Sequence, residues 1–461
     1  MEFTVRQIVD ATGGQCLAGD PEAPAGRIVT DTRQFRRGDT FLALRGERFD
    51  GHDFVKDAAA AGAACLVVAR AEAAAGLEGP AVVRVADTGA ALAALGRAAR
   101  RRLGCPVIAI TGSCGKTTLK EMIGQVLGHR LKGQVAPASF NNQVGVPLTL
   151  LAAAADDAFV LCEFGTNAPG EIAALARLAE PTIGAVTLVA PVHLEGLGSL
   201  EGVAAEKAAL VEAIPPEGLA VLNADDPRVA AMARRCRGRV VTVGLHAKAD
   251  RVAEDVLQTA GGVHFTSGDV GFSLPVLGEH QAVLALMAAA VAAELGVTAE
   301  ETAEALRAFR PPPMRLQVRE EGEVLLVDDC YNANPASMGA ALALLALWPD
   351  RRKVFFCGEM RELGAASCAE HEALGRAAAE AGVRCLVCVG PEARATARAA
   401  VAAGLKADAV HTLDDAEGAA AEAPHLVRSG DVVLVKGSRV VHLEKVVRAL
   451  EAALAASGGQ T

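Results

Sequence analysis

Aromatic residues are scarce in this chain, 3% of 461 positions, with a single tryptophan and a single tyrosine. That excludes a core built on rings. The hydrophobic share of 51%, much of it alanine, points instead to alanine-rich helices packed on valine and leucine strands. Positive charge is also short: 45 Lys and Arg stand against 55 Asp and Glu, a net charge of −10. With no basic block, nucleic acid and anionic membranes are poor partners, and any positive charge for a phosphate must be local. Long apolar runs are missing as well. The longest, Ala282 to Ala293, falls short of the roughly 20 residues that span a bilayer; bounded by Gln281 and Glu294, it reads as a buried helix. The first residues, Met1 to Arg6, lack the apolar core of a signal peptide. The 11 cysteines are odd in number and follow no framework spacing, so they read as reduced thiols. Cys385-Leu-Val-Cys388 fits C-x-x-C, but within the strand-like run Cys385–Val389 its thiols point to opposite faces, which argues against redox or zinc chemistry. A soluble cytoplasmic protein without membrane insertion is expected. No motif fixes an oligomeric state, and a monomer is expected.

The length suggests about three domains. From 1 to 103, short β-like runs (Arg27–Val29, Thr40–Leu44, Cys65–Val68, Val82–Val85) alternate with alanine-rich helices. From 104 to 310 the strand candidates are Val107–Ile110, Phe159–Glu163, Ile183–Val189, Leu219–Leu222 and Val240–Val243. Pro311-Pro312-Pro313 then breaks the chain. From 311 to 461 the alternation resumes with Val324–Asp328, Val354–Cys357, Cys385–Val389 and Val432–Val435. Continuous apolar strands separated by helices imply parallel sheets covered on both faces, an α/β fold in three domains.

What is most informative is a loop. Thr111 to Thr118 read T-G-S-C-G-K-T-T, directly after the apolar run Val107 to Ile110. A strand, a glycine turn and a helix start in that order form a phosphate cradle: backbone N–H groups and the helix N-terminus face the anion. Gly112, Ser113, Cys114, Gly115 and Thr118 would shape it, Lys116 would neutralise the β- and γ-phosphates, and Thr117 would offer a hydroxyl to Mg²⁺. The usual first glycine is replaced by Ile110, so this is a shortened variant. The chain is expected to bind a nucleoside triphosphate. Other polar clusters close the strands, where ligands gather in such sheets. They are Glu163-Phe-Gly-Thr-Asn167, Pro191-Val-His193-Leu-Glu195, Asp328-Asp329-Cys-Tyr331-Asn332 and Lys436-Gly-Ser438-Arg439. Glu163 and His193 are placed to face the crevice of Lys116. Asp225-Asp226-Pro227-Arg228 reads as a strand end with a capping aspartate and a proline at the helix start.

With these residues in view the chain resembles the Mur ligases, the ADP-forming amide-bond enzymes of peptidoglycan precursor synthesis, over nearly its whole length. Asp31-Thr32-Arg33, Gly38 to Gly46 and Asp50 to Phe54 are similar to the uridine-nucleotide-binding module, and Thr111–Thr118 to the shortened phosphate loop. Asn141-Asn142-Gln-Val-Gly145-Val-Pro147 resembles the sugar-nucleotide-facing segment. Glu163 to Glu171, His193 to Lys207, Asp329 to Pro335, Gly358 to Gly364 and Lys436 to Arg439 continue the likeness in order. Absence of the D-N-P-R signature of the diaminopimelate- or lysine-adding branch favours the branch that adds D-alanyl-D-alanine to UDP-N-acetylmuramoyl-tripeptide.

The resemblance implies a small N-terminal UDP-binding α/β domain, a central P-loop ATPase-like domain with a parallel sheet, and a C-terminal Rossmann-like domain. It implies ATP and two Mg²⁺ ions, with Thr117 and Glu163 on one ion and His193 on the second. Lys207, fourteen residues beyond His193, matches the lysine that the family carbamylates, and that group would help hold the second ion; by itself it reads as a solvated helix lysine. Asp31, Thr32, Arg33, Asn141 and Asn142 would meet the UDP-sugar-peptide, His280, Gln281, Arg315, Asp329 and Asn334 the nucleotide, and Lys436, Ser438 and Arg439 the dipeptide carboxylate. The family's hinge reads H-N-x-x-N, whereas here it is His280-Gln281-Ala282-Val283-Leu284, so adenine is read by backbone groups or base selectivity is loosened. The C-terminal domain is expected to swing about Pro311–Pro313. A sibling Mur ligase, a folylpolyglutamate synthetase-like enzyme and a P-loop regulatory ATPase remain alternatives.

Overall fold

The computed structural model describes residues 1–46 and 49–458. The first sheet comprises β1 (Gln15–Ala18), β2 (Ile28–Val29), β3 (Thr40–Leu42), β4 (Cys65–Val68) and β5 (Ala81–Arg84), in the order β1-β5-β4-β3-β2. All its pairings are parallel except that of β1 with β5. The period-2 alternation of strand side chains divides them between two cores. Leu42, Cys65, Val67 and Val83 join Val5, Leu92 and Leu95 on one face. Phe41, Leu66, Val68 and Val82 join Val55 and Ala58 on the other. Asp87 caps the helix Thr88–Arg102 by accepting from the Ala90 N–H. This helix docks the sheet on the next unit so closely that a Cβ at Gly96 would lie 2.8 Å from Pro147.

The central sheet comprises β6 (Val107–Thr111), β7 (Gln134–Val135), β8 (Val160–Glu163), β9 (Ile183–Val186), β10 (Leu219–Asn223), β11 (Arg239–Gly244) and β12 (Arg251–Val252). Its order is β12-β11-β10-β9-β6-β8-β7, and every pairing is parallel. The chain leaves β6 toward β7 and β8 on one side and crosses to β9 on the other. The reversal opens a crevice at the carboxyl end of β6, where ligands bind in such sheets. The apolar run becomes the helix His280–Glu294, whose residues Gln281 to Ala292 are all buried. The sequence gives no warning of the antiparallel meander that covers it, β13 (Glu254–Thr259), β14 (Gly262–Ser267) and β15 (Val270–Leu274). Only alternate residues of these strands reach the core, among them Val263 and the stacked pair Phe265 and Phe272. Asp226 caps the helix Pro227–Ala231 with the proline at its start, as read from the sequence.

The last sheet comprises β16 (Gln317–Glu321), β17 (Val324–Asp328), β18 (Lys353–Gly358), β19 (Cys385–Val389), β20 (Val410–Leu413) and β21 (Val432–Lys436). Its order is β16-β17-β21-β18-β19-β20, parallel apart from the edge strand β16. Cys388 lies in the core on one face and Cys385 in the core on the other, so the C-x-x-C is a strand crossing between two packed layers. Burial raises the Cys385 thiol, and the contact with Cys357, followed by burial, raises Cys388. Among the described residues no helix is long and apolar enough to cross a membrane.

Candidate active site

The carboxyl ends of the central and C-terminal sheets face one cavity of about 520 Å³. Its floor is the phosphate loop. β6 ends at Thr111, and the loop turns through Gly112 (φ +149°) and Gly115 (φ +81°) into the helix Lys116–Gly128. A Cβ at Gly112 would lie 1.9 Å from Thr187 Oγ1, so this close approach requires glycine. No side chain caps the helix, which leaves its first N–H groups open to an anion. Ser113 and Cys114 fix the loop from either side. Ser113 Oγ donates to Ala190 O at 3.1 Å, and Asn334 Nδ2 donates to Cys114 Sγ at 3.1 Å from across the cavity. Lys116 curls back to donate to Gly112 O at 2.7 Å. Burial lowers its pKa, with Glu163 opposing.

Glu163 ends β8 and is fully buried. It accepts from Thr117 Oγ1 at 2.8 Å and from Asn141 Nδ2 at 3.0 Å. A buried carboxylate beside a hydroxyl, next to the phosphate cradle, is the hard oxygen set that suits Mg²⁺, with phosphate oxygens and water completing the shell. This donor set fits the ion that the resemblance implies. No cluster of three or more His, Cys, Asp or Glu with metal-holding geometry occurs among the described residues. His193 lines the cavity in a left-handed conformation (φ +52°), and its Nδ1 bonds to Glu362 of the C-terminal domain. The bond draws the Glu362 carboxyl below its ordinary range.

Lys207 differs from the solvated lysine that its bare sequence suggests. It is 2% exposed on the helix Leu200–Ala213 and makes no hydrogen bond or ion pair among the described residues. Burial, followed by the charge of Lys116, lowers its pKa to about 7. It does not line the cavity wall.

The opposite wall comes from beyond the prolines. Met314 (φ +61°) and Leu316 (φ +50°) are both left-handed without being glycine, a strained linker that aims the residue between them. That residue, Arg315, donates to Thr117 Oγ1 at 3.1 Å and stacks 4.1 Å from the centre of the Tyr331 ring. Tyr331 in turn bonds Ser139 Oγ at 2.5 Å. Asp329 pairs with Lys436 Nζ at 2.5 Å; burial raises the Asp329 carboxyl and Lys436 opposes it. Tyr331 and Glu362 stood in segments that the resemblance already singled out, but neither had a role until the fold set them against Arg315 and His193.

His280 and Gln281 complete the wall at the start of the helix His280–Glu294. His280 is exposed at the rim, and protein packed around its ring, with the charge of Lys436, lowers its pKa. Gln281 Oε1 is buried without a hydrogen-bond partner, an orphaned acceptor in the wall of a cavity that holds a phosphate loop. Leu284 packs against Gly115, with its methyls 3.3 and 3.4 Å from where a Cβ would stand. The open helix end and the orphaned amide fit a nucleotide with a hydrogen-bonding base.

Asn142 lines the cavity and accepts from the N–H groups of Val144 and Gly145, starting the helix Gly145–Ala152. The remaining sequence candidates lie off the cavity wall. Asp31 is paired with Arg33 and caps the turn Thr32–Gln34 in the first domain. Ser438 Oγ accepts from Arg361 N at 3.0 Å, and Arg439 pairs with Glu444 at the surface.

Comparisons with known proteins match this arrangement along the chain. The family descriptions "Mur ligase family, catalytic domain", "Mur ligase middle domain" and "Mur ligase, glutamate ligase domain" match residues 26–103, 110–292 and 314–439. The UDP-N-acetylmuramoyl-tripeptide–D-alanyl-D-alanine ligase of Mycobacterium tuberculosis (strain ATCC 25618 / H37Rv) is 39% identical, with 98% of each chain covered. The same enzyme of Escherichia coli (strain K12) is 35% identical over 98% of this chain and 99% of its own. Among solved structures, MurF from Acinetobacter baumannii superposes with a TM-score of 0.88 at 31% identity, covering 98% of this chain and 99% of that one. MurF ligase from Thermotoga maritima in complex with ADP gives a TM-score of 0.81 at 28% identity, covering 94% and 99%. A phosphate loop at a sheet switch point, a carboxylate beside its hydroxyl and a third domain closing over both are thus joined to full-length sequence identity: the chain belongs to the Mur ligase family.

Proposed function

We propose that the chain is an ATP-dependent, ADP-forming ligase that joins D-alanyl-D-alanine to UDP-N-acetylmuramoyl-tripeptide in peptidoglycan precursor synthesis. The observation that carries this reading is the single cavity in which the phosphate loop, Glu163 and the Arg315, Asp329 and Lys436 set converge. Full-length relatives that bear the name of this activity supply the substrate pair. The domain bounds follow the linkers, 1–103, 104–310 and 311–461, with UDP-sugar, ATP and ligase roles in that order.

In the first step a carboxylate oxygen of the tripeptide takes the γ-phosphoryl group of ATP, ADP leaves, and an acyl phosphate forms. In the second, the free amine of D-alanyl-D-alanine attacks the acyl carbon. An amide bond forms, phosphate departs, and the amine loses a proton. Two anions must approach, so the protein's work is to hold them and neutralise charge. The open helix N-terminus and Lys116 take the β- and γ-phosphates. Arg315, aimed by its strained linker and its Tyr331 stack, adds a second cation on the γ side. Asn141 and Asn142 line the side reserved for the muramoyl substrate. Asp329 faces the nucleotide, and Lys436, paired with it, is assigned with Ser438 and Arg439 to the dipeptide carboxylate. Mg²⁺ held by Thr117 and Glu163 would screen phosphate charge, and His193 with Lys207 would serve a second ion.

The Lys207 assignment requires carbamylation: the amine nitrogen bonds the carbon of CO₂ and releases a proton, giving an anionic carbamate. Only the neutral amine reacts, and a buried lysine lowered to about 7 by burial and by Lys116, with Glu206 opposing, supplies it. Phosphate release tests the whole reading. It is expected to need both UDP-muramoyl-tripeptide and D-alanyl-D-alanine and to yield a product heavier by the dipeptide residue. Release indifferent to both would overturn it.

A further inference from the structure

The helix that opens the phosphate site carries a second lysine one turn after the first. Lys120, four residues beyond Lys116, has an exposure of 0%. Its ammonium donates to two carbonyls, Ala136 O at 2.7 Å and Ala138 O at 2.6 Å, and pairs with the Glu121 carboxylate at 2.9 Å. Two of these belong to the segment that runs from the end of β7 to the substrate-facing asparagines. Ala136 makes the last strand-like bond, its N–H donating to Leu161 O at 2.8 Å. Ala138 then takes a left-handed conformation (φ +45°) that an alanine rarely adopts. Beyond that bend, Ser139 meets Tyr331 and Asn141 meets Glu163. Both line the cavity.

We propose that Lys120 is a positioning residue. It holds the Ala136–Asn142 segment in its bent conformation and thereby fixes the muramoyl-substrate wall to the helix that receives the ATP phosphates. This rests on the reading that Asn141 and Asn142 face that substrate. A methionine of similar length would fill the same space without a charge to desolvate. The ammonium adds directed bonds to two carbonyls two residues apart, which sets the bend that turns Ser139 and Asn141 into the cavity. The same helix thus presents Lys116 and Thr117 to one substrate at its first turn and steadies the wall for the other at its second.

The test compares Lys120→Met with the wild type, varying ATP, UDP-muramoyl-tripeptide and D-alanyl-D-alanine separately. The KM for the tripeptide is expected to rise about tenfold, with the KM for ATP unchanged within about twofold, since loss of positioning acts on the substrate whose wall has moved. Amide hydrogen exchange across 137–142 should quicken while the helix Lys116–Gly128 stays protected. Equal rises in both KM values, or unchanged kinetics with only a lower melting temperature, would reduce Lys120 to a core residue and overturn the proposal. Should Lys120→Met fail to fold, Lys120→Gln, which retains an N–H donor, carries the same comparison. Wild-type enzyme that releases no phosphate with the tripeptide would overturn the functional reading instead. The exchange measurement would still decide whether Lys120 holds the segment.

Discussion

The two sheet edges that meet at the cavity are furnished in opposite ways. The central edge is left open: an uncapped helix end, a Lys116 that donates to the loop's own carbonyl, and a Lys207 with no hydrogen bond among the described residues. At the C-terminal edge most charged groups already have partners. Asp328 pairs with Arg319, Asp329 with Lys436, Glu359 with Arg361 and Glu362 with His193. An edge with vacant donors is built to receive a polyanion. An edge of closed ion pairs keeps its shape, and it contributes a single aimed cation, Arg315. Losses at the central edge should therefore abolish chemistry, while losses at the other should alter geometry and closure.

The largest effect is expected from Lys116→Met, which removes the phosphate-neutralising charge. The kcat should fall on the order of 10²–10³-fold or more, as for other preorganised electrostatic groups, in the phosphate-release assay. A drop below tenfold would mean that the open helix end alone carries the phosphates. Lys207→Met comes next, with a loss on the order of 10²-fold if its carbamate serves the second ion. The pH dependence has a definite sign. Burial lowers Lys207 to about 7, so the reactive neutral amine becomes dominant as pH rises through that value. In CO₂-depleted buffer, activity should fall and bicarbonate should restore it, most completely above about pH 7. Indifference to CO₂ at every pH would remove the carbamate from the mechanism.

This contrast also explains what the sequence disclosed. Buried parallel strands read as unbroken apolar runs, so β6, β8 and β9 and the loop after β6 were legible from spacing alone. The meander β13 to β15 was not, because in β13 the exposed Glu254, Asp255 and Leu257 break the apolar alternation. Lys207 looked solvated because a lysine carries no sign of its burial, which here comes from a helix packed between the sheet and its neighbours. Arg315 reaches Thr117 across 198 positions only through two left-handed residues that no motif announces.

At the C-terminal edge the effects should be smaller and geometric. Arg315→Ala should lower kcat about tenfold, and Tyr331→Phe, which keeps the stack and loses the bond to Ser139, only a few-fold. The reverse ranking, read from single-turnover rates, would shift the weight from the cation to the hydroxyl.

The smallest effect is expected at the bond between His193 and Glu362. The Glu362 side chain is 49% exposed, and an ion pair so placed contributes about 0–1 kcal/mol, at most about a fivefold change in an equilibrium. Yet it joins the two edges, and it occupies the imidazole proposed for the second Mg²⁺. Glu362→Gln should therefore loosen the contact between the domains and free His193 at the same time. The apparent Mg²⁺ requirement should fall by at most about fivefold, and the scattering radius without nucleotide should increase. A larger radius with an unchanged Mg²⁺ midpoint would leave Glu362 a latch and remove His193 from the metal. A lower midpoint at constant radius would make Glu362 a competitor for the ion without a part in closure. The pair thus separates the two duties that the C-terminal edge combines.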